Sequence, residues 1–295
     1  MRGAVDAAMT DVMRSVLHDP AFQAVESAWR AVQWLVSTLE LGESLELHLL
    51  HITHAELGAA ATQGGDLWRR LVDGEGRPGG RQAWSVVVGN VRFGASADDL
   101  EALDRLGTLA AALDVPFLAE ASSRLLGTAD LASQPDPRGW TPMDGDTSAR
   151  WQAFLARPAA SRVGLALPRF LLRLPYGQRT DPITAFAFEE QPSRPEHGAF
   201  LWGNPAIAYG VAIARSLDPE GDETNVLAID GLPAFVFAGD DGPMLQPPAE
   251  VALTERAVEA IQARGLLPLI AARDRVLVQL VEPYAVAQGA AEPHG

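Results

Sequence analysis

VGLALPRFLLRLPYG, from Val163 to Gly177, is the stretch on which the fold of this chain depends. It begins with a short apolar run, Val163–Leu167, whose length and glycine are typical of a buried strand rather than a helix. Pro168 ends that run, and the turn residues from Pro175 onward close the segment. The sequence therefore predicts a strand that leads into a tightly turned loop.

Two arginines, Arg169 and Arg173, lie among the apolar residues of this segment. A buried guanidinium is strongly unfavourable unless a carboxylate or a set of carbonyl oxygens neutralises it. The nearest acidic residues are Asp181, Glu189 and Glu190. We therefore predict that both arginines are internal parts of a scaffold, and that Glu189 or Glu190 forms a structural salt bridge with one of them.

The composition excludes several classes of function. The chain of 295 residues has 23 Lys and Arg against 38 Asp and Glu, a formal charge of −15, which argues against broad binding to nucleic acid or anionic membranes. It has no cysteine, which excludes disulfides, thiolate catalysis and zinc sites with Cys ligands. No apolar run approaches the ~20 residues that cross a bilayer, and no secretory signal pattern is present, so we expect a cytoplasmic protein without membrane insertion.

The N-terminal part is predicted to be helical. Residues 1–17 have apolar residues at helical spacing, and Asp19-Pro20 is a typical helix start, with Asp as the N-cap. The second helix has one apolar face that continues to a stop near Gly42. Its candidate interaction residues are the large aromatic ones, Phe22, Trp29 and Trp34. Because Trp29 and Trp34 point in different directions, the helix is expected to contact more than one neighbour.

Three predicted strands separated by helices define the fold class. The patterns of Leu45–Ile52, Trp84–Val88 and Val115–Ala119 predict strands. Capping patterns at Thr53–Glu56 and Ser96–Asp99 start the helices between them. Because strands that alternate with helices form sheets with helical crossovers, we predict an α/β fold with a mixed sheet.

The second half of the chain is predicted to contain a helix and two hairpins. The alanine-rich stretch Ala206–Leu217 indicates the helix. Val226–Ile229 and Ala234–Phe237 are predicted to pair as one hairpin, with a turn at Asp240-Asp241-Gly242 after it. Leu267–Ala271 and Val276–Val281 are predicted to pair as the other.

These elements suggest a division of the chain into three parts. Residues 1–42 are an N-terminal helical segment, residues 43–286 an α/β domain, and residues 287–295 a flexible tail.

An enzyme is the alternative hypothesis. His48, His51 and His54 are the one metal-like cluster, but side chains of His48 and His51 would point to opposite faces of a strand, and their spacing fits no zinc signature. We expect ordinary histidines, no metal and no cofactor. The alternative remains an α/β hydrolytic or metal-dependent enzyme that uses these histidines or the adjacent carboxylates Glu189 and Glu190.

Four motifs follow one another along the chain. They are DPAFQAVESAWRAVQWLV from Asp19 to Val36, PRFLLRLPYG from Pro168 to Gly177, FAFEE from Phe186 to Glu190, and LWGN from Leu201 to Asn204. In order and spacing they resemble the large subunit of the type VI secretion contractile sheath, over the region from about Asp19 to about Leu280. Within them, the candidate salt-bridge and core residues are Arg169, Arg173, Glu189, Glu190, Trp202 and Asn204.

The resemblance implies a contractile-sheath-subunit-like fold and a mechanical function without catalysis. In that family the large subunit pairs with a small sheath-type subunit, and the heterodimers wrap an inner tube. The implied partners are therefore the small sheath-type subunit, in a heterodimer, together with full-length sheath or inner tube proteins.

The end of the chain differs from the family pattern. The chain stops soon after Val281, whereas the family continues into a C-terminal region whose strands join neighbouring subunits. We therefore expect a truncated or accessory version of the large subunit.

Overall fold

The computed structural model describes residues 2–42, 44–75, 83–191, 195–217, 227–239, 242–271 and 277–280. Its helices are α1 (Arg2–Leu17), α2 (Pro20–Thr38), α3 (His54–Ala60), α4 (Asp66–Leu71), α5 (Ala97–Leu113), α6 (Gly145–Leu155), α7 (Pro205–Ser216) and α8 (Glu255–Gln262). Its strands are β1 (Val87–Phe93), β2 (Phe117–Ala121), β3 (Val163–Leu167), β4 (Phe170–Leu171), β5 (Trp202–Gly203), β6 (Ala228–Asp230), β7 (Phe235–Gly239), β8 (Gly242–Gln246), β9 (Leu267–Pro268), β10 (Ile270–Ala271) and β11 (Leu277–Gln279). The predicted tail at residues 287–295 lies outside the described residues.

A parallel sheet in the order β1, β2, β3, β9 lies at the centre. The apolar run Val163–Leu167 forms β3, as predicted, between β2 and β9. Both faces of a parallel sheet are covered by helices, which explains why this run is continuously apolar. Gly164 is required in it, because a Cβ at this position would lie 2.7 Å from side-chain atoms of both Leu118 and Leu267.

Helices α5 and α7 cover the two faces of this sheet. Leu103, Leu106 and Leu109 of α5 are fully buried in one core, and Tyr209 and Val211 of α7 are fully buried in the other. Helix α5 connects β1 to β2, which is the crossover that the sequence pattern indicates. The predicted α/β fold class is confirmed.

Smaller antiparallel sheets surround the parallel one. β4 pairs with β5, β11 lies between β6 and β10, and β7 pairs with β8. The predicted hairpin of the last two apolar runs is confirmed by the β10–β11 pairing. The predicted pairing of Val226–Ile229 with Ala234–Phe237 is wrong, because β6 pairs with the distant β11 and β7 pairs with the next strand, β8. Gly242 starts β8 with φ of 125°, a conformation that favours glycine, whereas Asp240 and Asp241 lie outside the described residues.

The predicted strand at Leu45–Ile52 is also wrong. The segment has no strand pairing within the part of the chain that the structure describes. Its alternating apolar residues had predicted a strand, but a strand requires a neighbouring backbone with which to exchange hydrogen bonds. Leu49 and Leu50 are 59% and 44% exposed.

The first two strands of the sheet begin later than predicted. β1 starts at Val87 instead of Trp84, and β2 starts at Phe117 instead of Val115. β1 also continues through Gly89, where the Phe117 ring packs against the backbone: a Cβ there would lie 2.8 Å from that ring. The position of the glycine within β1 therefore reflects close packing between neighbouring strands.

None of the helices in the described ranges combines the length and apolarity that crossing a membrane requires.

Gly107 provides a test of how closely α5 packs on the segment before β3. A Cβ at Gly107 would lie 2.4 Å from the carbonyl oxygen of Ala159. We expect Gly107→Val to lower the free energy of unfolding by about 1–3 kcal/mol, because overpacking forces the backbone apart. Urea unfolding monitored by circular dichroism measures this change.

Gly145→Val is the matched control for this substitution. A Cβ at Gly145 would have no atom within 4 Å, so we expect a change below about 0.5 kcal/mol. Equal unfolding midpoints for the two variants would contradict the close packing described for Gly107.

Candidate interaction site

Helices α1 and α2 are attached to the rest of the chain through polar side chains. Asp19 caps α2 by accepting hydrogen bonds from two backbone N–H groups at 3.0 Å, as the sequence pattern predicts. From α2, the Ser27 hydroxyl donates to the carbonyl of Trp202 at 2.8 Å. From α1, Arg14 donates to the carbonyl of Glu189 at 2.7 Å. The inward faces of both helices are therefore held by hydrogen bonds.

A buried ion network joins α2 to the loop that follows β4. Arg173 donates two hydrogen bonds to Glu190, at 2.6 and 3.0 Å, and two to Glu26, at 2.7 and 3.2 Å. Glu190 is fully buried and Arg173 is 7% exposed. Because one carboxylate belongs to α2 and the other to the loop, a single guanidinium fixes the position of each relative to the other.

Burial and pairing have opposite effects on the charges of this network. Burial alone would raise the pKa of Glu26, but hydrogen bonds from Arg173 and Arg30 and their positive charges lower it overall. Burial alone would lower the pKa of Arg173, but its bonds to Glu190 and Glu26 raise it overall. Arg30 also donates to the hydroxyl of Tyr176 at 2.7 Å. Glu26 and Arg173 are therefore held in their charged forms at neutral pH.

Arg169 contacts a carboxylate that sequence reasoning missed. Neither Glu189 nor Glu190 pairs with Arg169. Instead, the Arg169 guanidinium donates to both carboxylate oxygens of Glu250, at 2.6 and 3.2 Å. The backbone N–H of Glu250 also donates to the carbonyl of Arg169 at 2.8 Å. No local spacing could have indicated this pair, because the two residues are 81 positions apart.

The other candidate structural residues lie in three different settings. Glu189 is exposed, and its carboxylate accepts a hydrogen bond from a backbone N–H at 3.0 Å. Trp202 is buried, and its ring stacks on that of His197 at a centroid distance of 5.1 Å. Asn204 caps the start of α7 and donates to the carbonyl of Gly89 at 3.2 Å, which links α7 to β1.

The cleft at the carboxyl ends of β1, β2 and β3 is small. Open α/β sheets bind small molecules at this edge, in pockets of roughly 300–1,000 Å³. The cleft here has a volume of about 90 Å³. Four of its charged side chains are held in ion pairs, Arg92 with Glu120 and Arg169 with Glu250. The cleft is therefore smaller than an ordinary small-molecule pocket of this class of sheet.

Asp130, His197 and Glu250 border the same region. Their potential ligand atoms lie within 4.8 Å of one another. However, Arg169 donates to both carboxylate oxygens of Glu250, so a cation bound there would lie beside a guanidinium. Burial alone would raise the pKa of Glu250, but the hydrogen bonds and charges of His197 and Arg169 lower it to about 2. The carboxylate functions as the partner of the Arg169 guanidinium.

The three histidines considered for a metal site have separate environments. His48 contacts Glu46 at 2.9 Å, and His54 packs edge-on against the ring of Phe93 at a centroid distance of 5.0 Å. His51 is exposed. Glu189 and Glu190 also diverge, because one is exposed and the other is buried against an arginine. The enzyme hypothesis therefore has no support.

The outward faces of α1 and α2 are apolar. Half of the large apolar side chains that are exposed in the described part of the chain lie on these two helices. Trp29 is 67% exposed, Val12 64% and Val25 59%. We define the outer face as this set of eight side chains: Val5, Met9, Val12, Val16, Phe22, Val25, Trp29 and Val36. Exposed apolar side chains at helical spacing make this face the candidate interaction site.

Of the three candidate interaction residues on α2, two belong to the outer face and one does not. Phe22 and Trp29 are 41% and 67% exposed. Trp34 points inward, where its ring lies 5.2 Å from that of Phe170. Trp34 is thus placed to hold α2 against β4.

Two comparisons with known proteins bear on the role of these residues. Residues 2–280 match the model of a protein family described as VipB: EvpB/VC_A0108, tail sheath N-terminal domain. The chain belongs to this family. The type VI secretion system sheath protein TssC1 of Pseudomonas aeruginosa is 31% identical to it over 282 residues, which cover 90% of this chain and 57% of TssC1. The chain therefore spans little more than half the length of this curated relative.

Membership of the tail sheath family confirms the resemblance that the four motifs indicated. Membership of this family supports a structural role for the chain. Buried ion pairs and an exposed apolar face fit that role.

Removal of Arg173 tests the ion network. We expect Arg173→Met to lower the free energy of unfolding by about 3–5 kcal/mol, because Glu190 would remain buried without its counter-ion. Arg105→Met is the control, since Arg105 pairs with Glu101 on the exposed surface of α5, where such a pair contributes about 0.5 kcal/mol or less. Urea unfolding at pH 7 measures both, and similar losses would contradict a special role for Arg173.

Glu250 is expected to make stability depend on pH. Its pKa is about 2 in the folded chain against an ordinary value of 4.5. Because the folded-state pKa is the lower one, the stabilisation is complete above about pH 5 and is lost as the pH falls towards 2. A difference of this size corresponds to a contribution on the order of 3 kcal/mol.

Urea unfolding of the native chain and of Glu250→Gln between pH 7 and pH 3 measures this contribution. The difference in stability between them should be largest at pH 7 and should shrink towards pH 3. Glu189→Gln, a change at an exposed carboxylate, should follow the native chain throughout. A difference between Glu250→Gln and the native chain that stays constant with pH would rule out this account.

Proposed function

We propose that this chain is a non-catalytic structural subunit of a type VI secretion sheath, which acts in the cytoplasm and pairs with a small sheath-type subunit through the outer face. Membership of the tail sheath family and similarity to a sheath protein support the structural role. The single observation that carries the pairing is that eight large apolar side chains of α1 and α2, those of the outer face, are exposed.

The spacing of the outer face favours a helical partner. On α1 the apolar side chains follow at steps of four, three and four residues, and on α2 they begin with steps of three and four. Alternating steps of three and four are the pattern of a seam between packed helices, because they keep one stripe facing the partner. We infer that a helix of the small subunit lies along this stripe.

The inward contacts of the two helices support the same proposal. Hydrogen bonds from Arg14 and Ser27 and the Arg173 network fix α1 and α2 before any partner arrives. A surface that is already ordered loses less conformational entropy on binding. Trp29, the most exposed member of the outer face, is of a residue type that is enriched among the strongest contacts in protein interfaces.

The proposal assigns separate roles to parts of the chain. Residues 1–42 form the segment that meets the partner, and residues 43–286 form the α/β body that supports it. The salt bridges of Arg169 with Glu250 and of Arg173 with Glu190 stabilise that body.

Co-expression with a small sheath-type subunit tests the pairing. We expect the two chains to co-purify, and Trp29→Glu to weaken the complex by about tenfold or more, because a carboxylate would be buried against apolar side chains. Affinity is measured by biolayer interferometry. The unfolding midpoint of the isolated variant should stay close to that of the native chain, since Trp29 is mostly exposed.

Thr108→Glu is the matched control. Thr108 is exposed on α5, which covers the opposite face of the sheet from α7, and the substitution adds the same charge. It should leave the affinity unchanged. Failure of the native chain to co-purify, or equal affinities of the two Glu variants, would overturn pairing through the outer face.

A further inference from the structure

Helix α1 has little support from the rest of the chain. Of the side chains in this 16-residue helix that the structure describes, Leu17 alone is buried. Within the described residues, none of the three hydrophobic clusters includes a side chain of α1. Helices in proteins gain most of their stability from an apolar face that packs on a core. Helix α1 therefore lacks the kind of contact that stabilises α5 and α7.

The polar contacts that attach α1 lie at its C-terminal end. The Arg14 guanidinium donates two hydrogen bonds to the carbonyl of Glu189, at 2.7 and 3.0 Å. Just after the helix, Nε2 of His18 lies 3.6 Å from a carboxylate oxygen of Glu190. Because a helix rises about 1.5 Å per residue, α1 extends roughly 18 Å from Arg14 back to its first residue. We define residues 2–11 as the arm, the part of α1 that precedes this attachment.

The sequence of the arm provides little helix stability of its own. It contains Gly3 and the β-branched residues Val5 and Thr10, which have a lower helix propensity than alanine. Its first turn has no acidic side chain to interact favourably with the helix dipole. Even alanine-rich helices shorter than about 12 residues are marginal in water. The arm therefore needs a neighbouring surface in order to stay helical.

The large apolar side chains of the arm belong to the outer face. Val5 is 56% exposed and Met9 is 43% exposed. Segments with few buried apolar contacts and with exposed backbone hydrogen bonds open at a low cost in free energy. A partner that covers these two side chains supplies the packing that the body of the chain does not.

We propose that the arm becomes a stable helix only when the small sheath-type subunit covers the outer face, so that folding of the arm is coupled to assembly. The proposal rests on the proposed function, because the same partner supplies the packing. Arg14 and the Arg173 network fix α2 and the end of α1 in advance, and the arm is the part beyond them. Some of the binding free energy is then used to order the arm. Affinity therefore depends on how readily the arm forms a helix.

Hydrogen–deuterium exchange tests this coupling on the full chain, free and bound to a co-expressed small sheath-type subunit. The informative amides are those of residues 6–11, because the first four N–H groups of a helix have no acceptor within it. In the free chain they should exchange within about tenfold of the rate of an unstructured peptide, and in the complex at least about tenfold more slowly than in the free chain. Protection of these amides in the free chain equal to that of α5 would overturn the proposal, as would rapid exchange that persists in the complex.

Two substitutions of opposite sign test whether helix formation contributes to affinity. Gly3 and Ala7 are exposed and lie one turn apart, on the side of the arm away from Val5 and Met9. A Cβ at Gly3 would have no atom within 4 Å. Because alanine favours a helix far more than glycine does, Gly3→Ala should strengthen the complex and Ala7→Gly should weaken it, each by up to about fivefold. Biolayer interferometry measures both affinities.

Ala111→Gly is the matched control. Ala111 is exposed on α5, which packs on the core, so the affinity of this variant should stay within about twofold of the native value. A complex that depends on Trp29 but is indifferent to both substitutions in the arm would overturn coupled folding and leave pairing through the outer face intact. Absence of any complex with the small subunit would overturn both proposals.

Discussion

The Arg173 guanidinium, held between Glu190 and Glu26, is the interaction on which the arrangement of this chain depends. It lies where the loop after β4 meets α2, so it connects the α/β core to the helices that carry the outer face. A buried charge is stable only when its hydrogen-bonding capacity is filled by partners of opposite sign. Here two carboxylates from distant parts of the sequence provide them, and a shift of either would leave an unpaired ion.

This constraint explains why the apolar stripe of α2 that contains Phe22, Val25 and Trp29 faces outward. An isolated amphipathic helix would bury its apolar stripe against the core. In this chain the inward side of α2 carries Glu26, Ser27 and Arg30, which bond to Arg173, Trp202 and Tyr176 respectively. These polar side chains are therefore satisfied on the inward side, where Trp34 also packs, while a second apolar stripe of the helix stays exposed. The contacts that hold α2 to the core and its exposed apolar side chains therefore lie on different sides of the same helix.

The sequence predicted the features that depend on neighbouring residues. The N-cap at Asp19, the strand Val163–Leu167 and the helix after Asn204 depend on local apolar patterns and capping side chains, and the structure has them. The pairing of Arg169 with Glu250 could not be found in this way, because any acidic residue in the chain was an equally good candidate.

The errors in strand prediction have a related cause. The segment Leu45–Ile52 has the alternation of a strand, but alternation reports only which side chains prefer burial and not whether a second backbone is present. For β6 and β7, proximity in sequence suggested that they pair, yet β6 pairs with β11 across a long separation. The apolar spacing of the outer face can be recognised in the sequence. Its outward orientation cannot, because it depends on ion pairs between residues that are far apart in the chain.

The order of strands in the parallel sheet has a consequence for biosynthesis. β9 pairs with β3, but it follows β3 by roughly a hundred residues, and contacts between such distant positions form late. During translation, the β3 edge remains unpaired until β9 has emerged from the exit tunnel of the ribosome. Nascent chains of this subunit thus pass through a stage in which a sheet edge is bare, and it is at this stage that chaperones have most reason to bind them.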